Sequence, residues 1–282
     1  MMQIHAIHTE DQVRLHVAFF PPADKNRPVV LCTHGVANAF YNTPLWEVAQ
    51  AIHRLGWGVA LFNNRGHDWV SANPIDARWI GAAHERIEDC ALDFKAGLDW
   101  LNAQGYRNLV IGGHSLGGLK ANYALRTLPS GSFKGLAMFS SPRLPDEQVW
   151  DWKRHEDILD RCRALSQAGD GRTLMEVEMP TNTPAMRGLM CADTYINKYG
   201  PTAVTTVLRD AAGIAVPVFL LAGTKEHPQL AFSADMEKAL VNAVSVTRAV
   251  IDGADHLYTD KSDQVASAFS DWLEKLFAGD PG

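Results

Sequence analysis

The sequence predicts an α/β fold in which a mostly parallel central sheet carries helices on both faces. Short apolar runs alternate along the chain with longer amphipathic stretches, a pattern typical of strands and helices that succeed one another. Hydrophobic residues make up 46% of the 282 residues, which is enough to fill a sizeable core. The alternation is broken once, between residues 141 and 217. A single sheet with one large insertion is therefore expected.

The predicted elements begin with an antiparallel hairpin at one edge of the sheet. Its two strands, residues 3–8 and 12–20, alternate between polar and apolar side chains. Before the break, the chain then offers a strand at 29–33, a helix at 45–55, a strand at 58–62, a helix at 83–102, a strand at 109–112 and a strand at 135–140. After the break come a strand at 217–223, a helix at 229–242, a strand at 245–251 and a helix at 264–277.

The break contains no convincing strand, and prolines, aromatic residues and methionines are frequent in it. A helix is predicted at its start, over residues 146–167. A single connection between neighbouring strands needs far less chain than this. We therefore predict a core of residues 1–141 and 211–282, with a mainly helical cap of residues 142–210 inserted between the sixth and seventh strands.

A Gly-x-Ser-x-Gly motif stands where a strand is predicted to turn into a helix. Residues 113–117 read Gly-His-Ser-Leu-Gly, after the apolar run 109–111 and before a helix-like stretch at 119–125. A turn this tight strains the backbone of the serine and leaves room only for glycine on either side. This context predicts that Ser115 is a nucleophile exposed at the carboxyl edge of the sheet.

A serine nucleophile needs a base and an acid to activate it. His256 follows the last predicted strand, from which its loop is well placed to reach Ser115. Glu226 follows another apolar strand and precedes His256 by thirty residues, which is room for one strand–helix–strand unit. We predict that His256 is the base and Glu226 the acid. Asp252 and Asp255 are the alternatives for the acid.

The developing oxyanion of acyl transfer needs two backbone N–H donors. Residues 34–36, His-Gly-Val, follow the predicted strand at 29–33, and Leu116 follows the nucleophile. The backbone N–H groups of Val36 and Leu116 are therefore predicted to form the oxyanion hole. For His34 we predict a structural role, in which its side chain bonds neighbouring loops and keeps the hole open.

These motifs together resemble the α/β-hydrolase superfamily of serine esterases. The His-Gly pair at 34–35, the Asn-Asn-Arg-Gly-His loop at 63–67, the serine motif, residues 223–226 and His256 occur in the order of that superfamily. The loop at 63–67, taken with residues 192–199, is similar to the esterase branch that includes the fungal siderophore-ester hydrolases. The resemblance implies the α/β-hydrolase fold and carboxyl-ester substrates. Aspartate is the commoner acid in the family, so Glu226 departs from its pattern.

We therefore expect a serine hydrolase that cleaves esters of a small to medium, partly apolar substrate through an acyl-enzyme intermediate. A lactonase, thioesterase, amidase or acyltransferase would use the same residues, and a non-catalytic ligand receptor of the same fold is a further alternative. Neither a cofactor nor a metal ion is expected, since the histidines lack metal-ligand spacing.

Five side chains of the predicted cap are candidates for the substrate pocket, because a cap over the nucleophile has to present some of its apolar groups to the substrate. They are Trp150, Trp152, Met186, Met190 and Tyr195. The alternative is that these side chains pack the cap's own small core.

Composition limits the other partners. The formal net charge of −6 and the lack of a basic arm argue against a nucleic-acid partner. No apolar stretch approaches the ~18 residues that span a bilayer, and the start of the chain lacks the pattern of a signal peptide. The four cysteines are scattered and predict reduced thiols in a cytoplasmic protein. A homo-oligomer is compatible with all of these observations.

Overall fold

A computed structural model, which describes residues 1–179 and 187–278, has an eight-stranded sheet at its centre. The strands of this sheet are β1 (Gln3–His8), β2 (Arg14–Phe20), β3 (Val29–Thr33), β4 (Gly58–Phe62), β7 (Leu109–His114), β8 (Gly135–Phe139), β11 (Val218–Gly223) and β12 (Val246–Ile251). Two short antiparallel pairs lie outside it, namely β5 (Ser71–Ala72) with β6 (Trp79–Ile80), and β9 (Leu174–Glu178) with β10 (Arg187–Cys191).

The central sheet has the strand order β1-β2-β4-β3-β7-β8-β11-β12. The pairs β1–β2 and β2–β4 are antiparallel, and all the other pairs are parallel. Every residue of β3, β4, β7, β8 and β11 is buried, as expected for parallel strands that are covered on both faces. The predicted parallel sheet with an antiparallel edge hairpin is confirmed.

Helices cover both faces of the sheet, as the sequence predicted. They are α1 (Leu45–Arg54), α2 (Cys90–Ala103), α3 (Leu116–Thr127), α4 (Trp152–Gln167), α5 (Ala192–Tyr199), α6 (His227–Ala239) and α7 (Ser262–Phe277). One hydrophobic core joins the sheet to α2, α3 and α6, and a second joins its other face to α1 and α7. In the ranges 1–179 and 187–278, no helix is long and apolar enough to cross a membrane.

The predicted long helix over residues 83–102 begins later than expected. A 3-10 turn at Ile87–Asp89 leads into α2, which starts only at Cys90. Before that turn, the backbone N–H groups of His84 and Glu85 both donate to the carbonyl of Gly81. This tight turn buries the side chain of Glu85, which a regular helix start would have left in solvent.

The inserted segment that the sequence predicts to be a cap, and that is called the cap below, lies between β8 and β11, the sixth and seventh strands of the central sheet in chain order. It contains α4, the β9–β10 pair, α5 and a 3-10 helix at Val207–Gly213. The expectation that this segment contains no strand is wrong. In β9, Met175 and Val177 are buried while the residues between and beside them are exposed, which is the two-residue period of a strand covered on one face.

The cap has its own hydrophobic core and packs against the connection that follows β4. Trp69, in that connection, packs against the cap core. The backbone N–H of Cys191 donates to the carbonyl of Ala83, and the Lys198 ammonium donates to the carbonyl of Ala82. These contacts join the cap to the connection that leaves β4 at its carboxyl end.

Candidate active site

Ser115 occupies a strained turn between β7 and α3. Its backbone angles are φ 55° and ψ −126°, a conformation that L-residues adopt rarely. The Ser115 N–H donates to the carbonyl of Phe139 at 2.8 Å, which bonds the turn to the end of the neighbouring strand β8. A Cβ on Gly113 would collide with the backbone of Gly117, and one on Gly117 would approach the His34 carbonyl oxygen to 2.5 Å. The two flanking glycines are therefore required for space.

The loop after β3 lies directly against the serine. A Cβ on Gly35 would stand 3.0 Å from the Cβ of Ser115 and 3.4 Å from its Oγ. Any larger residue at this position would have to displace the serine side chain. The glycine thus allows the backbone of this loop to reach the serine hydroxyl.

His34 fixes the direction of the next peptide group. Its Nε2 accepts a hydrogen bond from the backbone N–H of Asn64 at 3.3 Å, so its Nδ1 carries the proton and donates to the Gly35 carbonyl at 2.9 Å. Burial lowers the pKa of His34 to about 3, which keeps the ring neutral. In a trans peptide the carbonyl and the following N–H point in opposite directions. The bond to the Gly35 carbonyl therefore sets the direction of the Val36 N–H.

Two backbone N–H groups beside the serine lack acceptors. Leu116 is the first residue of α3, whose opening N–H groups have no partner within the helix. Across the described residues, neither the Leu116 N–H nor the Val36 N–H donates to a backbone or side-chain acceptor. Both are therefore backbone donors without an acceptor among the described residues.

Glu226 and His256 meet at the carboxyl ends of β11 and β12. Glu226 Oε1 lies 2.6 Å from His256 Nδ1. The carboxylate is buried, whereas 38% of the imidazole side chain is exposed. This contact leaves Nε2 of the imidazole as the nitrogen that can exchange a proton with another group.

Two further side chains, which the sequence analysis missed, hold the second oxygen of this carboxylate. Glu226 Oε2 accepts hydrogen bonds from Ser140 Oγ at 2.6 Å and from the Gly223 N–H at 2.8 Å. Tyr258 then donates its hydroxyl to Ser140 Oγ at 2.7 Å. Burial, with the nearby charge of Glu226, raises the pKa of Tyr258 well above its usual value, so the phenol stays a donor.

Ser140 and Tyr258 share a backbone feature that a sequence does not display. Both have positive φ, 46° for Ser140 and 55° for Tyr258. Ser140 directly follows β8, at the same edge of the sheet as Ser115. That position, immediately after an apolar strand, was the available signal, because carboxyl ends of parallel strands meet at one edge.

His114 ties the serine turn to the loop that bears His256. Its ring Nε2 donates to the backbone carbonyl of His256 at 2.9 Å, and the two ring centroids are 4.6 Å apart. Burial, with the nearby His256, holds the pKa of His114 well below its usual value. In the described part of the chain, Ser115 Oγ and His256 are not joined by a hydrogen bond.

The alternative acids serve other groups. Asp255 Oδ1 accepts hydrogen bonds from the backbone N–H groups of Leu257 and Thr259 at 3.1 and 3.0 Å. Asp252 Oδ1 accepts one from the Thr224 hydroxyl at 3.2 Å. Both carboxylates thus organise the surface of the loop, and Glu226 is the carboxylate that contacts the imidazole.

A known protein family matches most of this chain. The model of a family described as the alpha/beta hydrolase family matches residues 29–268. The chain belongs to the alpha/beta hydrolase family. No curated protein is significantly similar to this hydrolase in sequence.

Solved structures share the hydrolase's fold at low sequence identity. DcsB in complex with its substrate analogue is 14% identical with a TM-score of 0.74, over 99% of this chain and 100% of that chain. The alpha/beta hydrolase GrgF from Penicillium sp. sh18 is 13% identical with a TM-score of 0.72, over 99% of both chains. Est1E from Butyrivibrio proteoclasticus with ferulic acid bound is 16% identical with a TM-score of 0.67, over 97% of this chain and 99% of that chain.

Most of the predicted pocket side chains of the hydrolase are in the cap's own core. Trp150, Met190 and Tyr195 are buried there against one another and their neighbours, as in the alternative that these side chains pack the core of this segment. The Tyr195 hydroxyl is bonded to His155 Nδ1 at 2.8 Å, which gives this polar group a partner inside the core. Met186 lies outside the described residues.

Trp152 is the member of this set that lines an open cleft. The cleft has a volume of about 780 Å³ and runs along α4, where His155 and Tyr199 also line it. The Trp152 side chain is 36% exposed and packs on the His155 ring at a centroid distance of 5.0 Å. Trp150 precedes α4 and is 6% exposed, whereas Trp152 is the first residue of α4 and faces the cleft, and both rings contact the ring of His155.

Proposed function

We propose that this hydrolase cleaves carboxyl esters of small to medium, partly apolar substrates, with Ser115 as nucleophile, His256 as base and Glu226 as acid. The contact of 2.6 Å between Glu226 Oε1 and His256 Nδ1 carries this proposal. A buried carboxylate on one ring nitrogen fixes the tautomer of the imidazole, so the other nitrogen is a base. That base is on a loop bonded to the residue next to Ser115.

Catalysis begins with proton transfer. As Ser115 Oγ attacks the ester carbonyl carbon, His256 Nε2 takes the hydroxyl proton and the ring becomes an imidazolium. Glu226 stabilises that positive charge. Its carboxylate also accepts hydrogen bonds from the Ser140 hydroxyl and from the Gly223 N–H, which hold it in place against the imidazole.

The tetrahedral intermediate carries its negative charge on the former carbonyl oxygen. The free N–H groups of Val36 and Leu116 are the proposed donors to this oxyanion. Their directions are set in advance by the His34 bond to the Gly35 carbonyl and by the start of α3. Donors that need no rearrangement during the reaction stabilise the transition state most effectively.

The intermediate collapses when the C–O bond to the alcohol breaks. His256 donates its proton to the leaving alkoxide, which departs as the alcohol and leaves an acyl group on Ser115 Oγ. A water molecule then gives a proton to His256 and attacks the acyl carbon. Collapse of this second intermediate releases the carboxylic acid and returns the proton from His256 to Ser115.

The cap, which we propose comprises residues 142–210, supplies the apolar part of the substrate site. The cleft along α4 has the size of a small-molecule site, and Trp152 and Leu208 are among its apolar lining residues. Neither Ser115 nor His256 lines it, so it would take a part of the substrate remote from the ester bond. Trp69 packs against the cap core, and the preceding Asp68 N–H donates to the Asn38 carbonyl at 3.3 Å. The segment that supports the cap therefore also contacts the loop beside the serine.

A fluorophosphonate probe tests the nucleophile directly. We expect the probe to label the wild-type protein at Ser115, as located by mass spectrometry of peptides, and not to label Ser115→Ala. A panel of ester, lactone, thioester and amide substrates of similar size should show the highest kcat/KM for esters. Labelling at another residue would refute the proposed site. A higher kcat/KM for a lactone, thioester or amide than for the ester would refute the proposed substrate class.

A further inference from the structure

Three charged side chains form a buried cluster beneath the cap. The Glu85 carboxylate lies between two ammonium groups, with Lys120 Nζ at 2.5 Å from Oε2 and Lys198 Nζ at 2.7 Å from Oε1. Each of the three side chains is at most 1% exposed. Lys120 belongs to α3, which begins next to Ser115, and Lys198 belongs to the cap helix α5.

The three side chains carry a net charge of +1 and are buried from solvent. Burial would raise the pKa of Glu85, but the two lysines outweigh it and lower that pKa to about 2. Burial lowers the pKa of Lys198, and Glu85 opposes this. A buried cluster of charges is seldom more stable than apolar side chains of similar size. Its stabilising contribution alone is therefore a weak reason for its presence.

The cluster continues to the loop beside the serine through Asn64. Lys120 Nζ donates to Asn64 Oδ1 at 2.8 Å. Because an ammonium group can only donate, this contact assigns the amide oxygen of Asn64 to the side of Lys120. The amide nitrogen, Nδ2, therefore faces Thr33 Oγ1, at 2.8 Å. The backbone N–H of Asn64 then donates to His34 Nε2. The position of the Asn64 residue thus determines which nitrogen of His34 holds the proton.

We propose that the cap positions the oxyanion hole through this chain of contacts, with Lys198 as a positioning residue. Lys198 holds Glu85, Glu85 holds Lys120, and Lys120 holds Asn64, which keeps His34 bonded to the Gly35 carbonyl. The Val36 N–H points away from that carbonyl and toward the proposed oxyanion site. This inference rests on the proposed function, since the oxyanion hole belongs to it.

Gly66 gives independent support for the importance of the Glu85 position. A Cβ on Gly66 would collide with the carboxylate of Glu85. The φ angle of Gly66 lies outside the positive range, so another residue would meet no backbone strain there. The glycine is needed for the space that the carboxylate occupies. Gly66→Ala therefore displaces Glu85 without changing any charge. Because the Gly66 N–H also donates to Asn64 Oδ1 at 2.8 Å, this variant acts on the 62–66 loop directly as well, and Lys198→Met is the variant that decides the coupling.

Two variants test the chain of contacts and two serve as controls. Lys198→Met removes the ammonium group by which the cap contacts Glu85, and Gly66→Ala displaces Glu85. Val177→Ala removes buried methyl groups from the cap core and leaves the contacts from Lys198 to His34 unchanged. It is the control for effects of a less stable cap. Lys153→Met removes an exposed lysine of α4, whose ion pair with Asp157 lies in solvent.

Three quantities should be measured for each variant. They are kcat and KM on a small activated ester, the rate of fluorophosphonate labelling, and hydrogen–deuterium exchange of segments 33–38 and 62–66. We expect Lys198→Met and Gly66→Ala to lower kcat about 10- to 100-fold, as for a small misplacement of a catalytic group. KM should stay within about twofold, labelling should slow in parallel, and both segments should exchange faster. The controls should retain the kcat and exchange of the wild type.

Each other outcome has a definite meaning. Unchanged exchange in both segments of Lys198→Met would refute the coupling, whatever the activity. A loss of kcat in Val177→Ala equal to that in Lys198→Met would also refute it, because general loosening of the cap would then be sufficient. If the wild type is not labelled at Ser115, the proposed function fails, and the exchange measurement still decides whether the cap holds the loop.

Discussion

Glu226 Oε1 lies 2.6 Å from His256 Nδ1, although the two residues are thirty positions apart in the chain. The second oxygen of the same carboxylate is bonded to Ser140, which in turn is bonded to Tyr258. Tyr258 follows His256 by two residues on one loop. The imidazole is therefore oriented both by the carboxylate and by the position of its own loop.

Substitution of the acid should reduce turnover strongly. In Glu226→Gln the amide can no longer stabilise the imidazolium or enforce its tautomer, and we expect kcat to fall on the order of 10³- to 10⁴-fold. Asp252→Asn and Asp255→Asn are the matched controls and should change kcat less than about threefold. Steady-state kinetics on an activated ester measure all three variants. If either aspartate variant lost more kcat than Glu226→Gln, that aspartate and not Glu226 would be the acid.

Loss of the Ser140 hydroxyl should weaken catalysis moderately. Ser140→Ala removes one of the hydrogen bonds to Glu226 Oε2 and leaves the Tyr258 hydroxyl without its acceptor. We expect kcat to fall about tenfold, consistent with the loss of a charged hydrogen bond. Tyr258→Phe keeps the bond from Ser140 to Glu226, so its kcat should fall less. The reverse order of the two variants would show that Ser140 does not act through the carboxylate.

Removal of the nucleophile should abolish covalent catalysis and preserve the fold. For Ser115→Ala we expect kcat to fall by about 10⁶, with a residual rate above that in water from the oxyanion donors. The melting curve should stay close to that of the wild type, since alanine keeps the same strained backbone. Hydrolysis within about tenfold of the wild-type rate would exclude Ser115 as the nucleophile.

The two tryptophans at the start of α4 should respond differently. Trp150 is buried in the cap core, and Trp150→Ala should lower the free energy of unfolding by about 3–5 kcal/mol. Trp152 lines the cleft, and Trp152→Ala should change that free energy by less than about 1 kcal/mol. In ester hydrolysis, Trp152→Ala should raise KM for bulky acyl groups and not for acetate. If Trp152→Ala and the wild type had the same KM for bulky acyl groups, the acyl group would bind outside this cleft.

Stability should depend on pH through Glu85. Because the folded pKa of Glu85, about 2, lies below the ordinary carboxyl value, its contribution is complete above about pH 5 and is lost as the pH falls toward 2. The shift corresponds to about 3 kcal/mol. Urea unfolding of the wild type and Glu85→Gln should therefore differ more at pH 6 than at pH 3. The exposed control Asp271→Asn should differ from the wild type by less than about 0.5 kcal/mol at both values.

The fold was predictable because its signals are local. The apolar runs of β3, β7 and β11 are bounded by glycines and polar turns, and helix-like segments separate them. The order of serine, acid and histidine then follows from where each residue stands relative to a strand end. Glu226 could be preferred over Asp252 and Asp255 because a helix and a strand separate it from His256, whereas the two aspartates lie beside that histidine on its own loop.

The buried cluster was not predictable because its partners are far apart in the chain. Lys120 and Lys198 lie 35 and 113 positions from Glu85, and lysine and glutamate on a helix or turn usually face solvent. The helix predicted over residues 83–102 would accordingly have placed Glu85 in its first turn, where a glutamate usually faces solvent. The β9–β10 pair, by contrast, had a local signal: the alternation around Met175 and Val177 has the period of a strand.

The bonds among His256, Glu226, Ser140 and Tyr258 close into a ring, because the backbone joins the first residue to the last. An aspartate at position 226 would be shorter by about 1.5 Å, the length of one carbon–carbon bond. It would reach both the imidazole and Ser140 only if the loop moved inward, and the bond from Tyr258 to Ser140 opposes that movement. The length of the carboxylate and the shape of the loop are therefore matched, and a loop grafted from an aspartate-bearing relative should be transferred together with its acid.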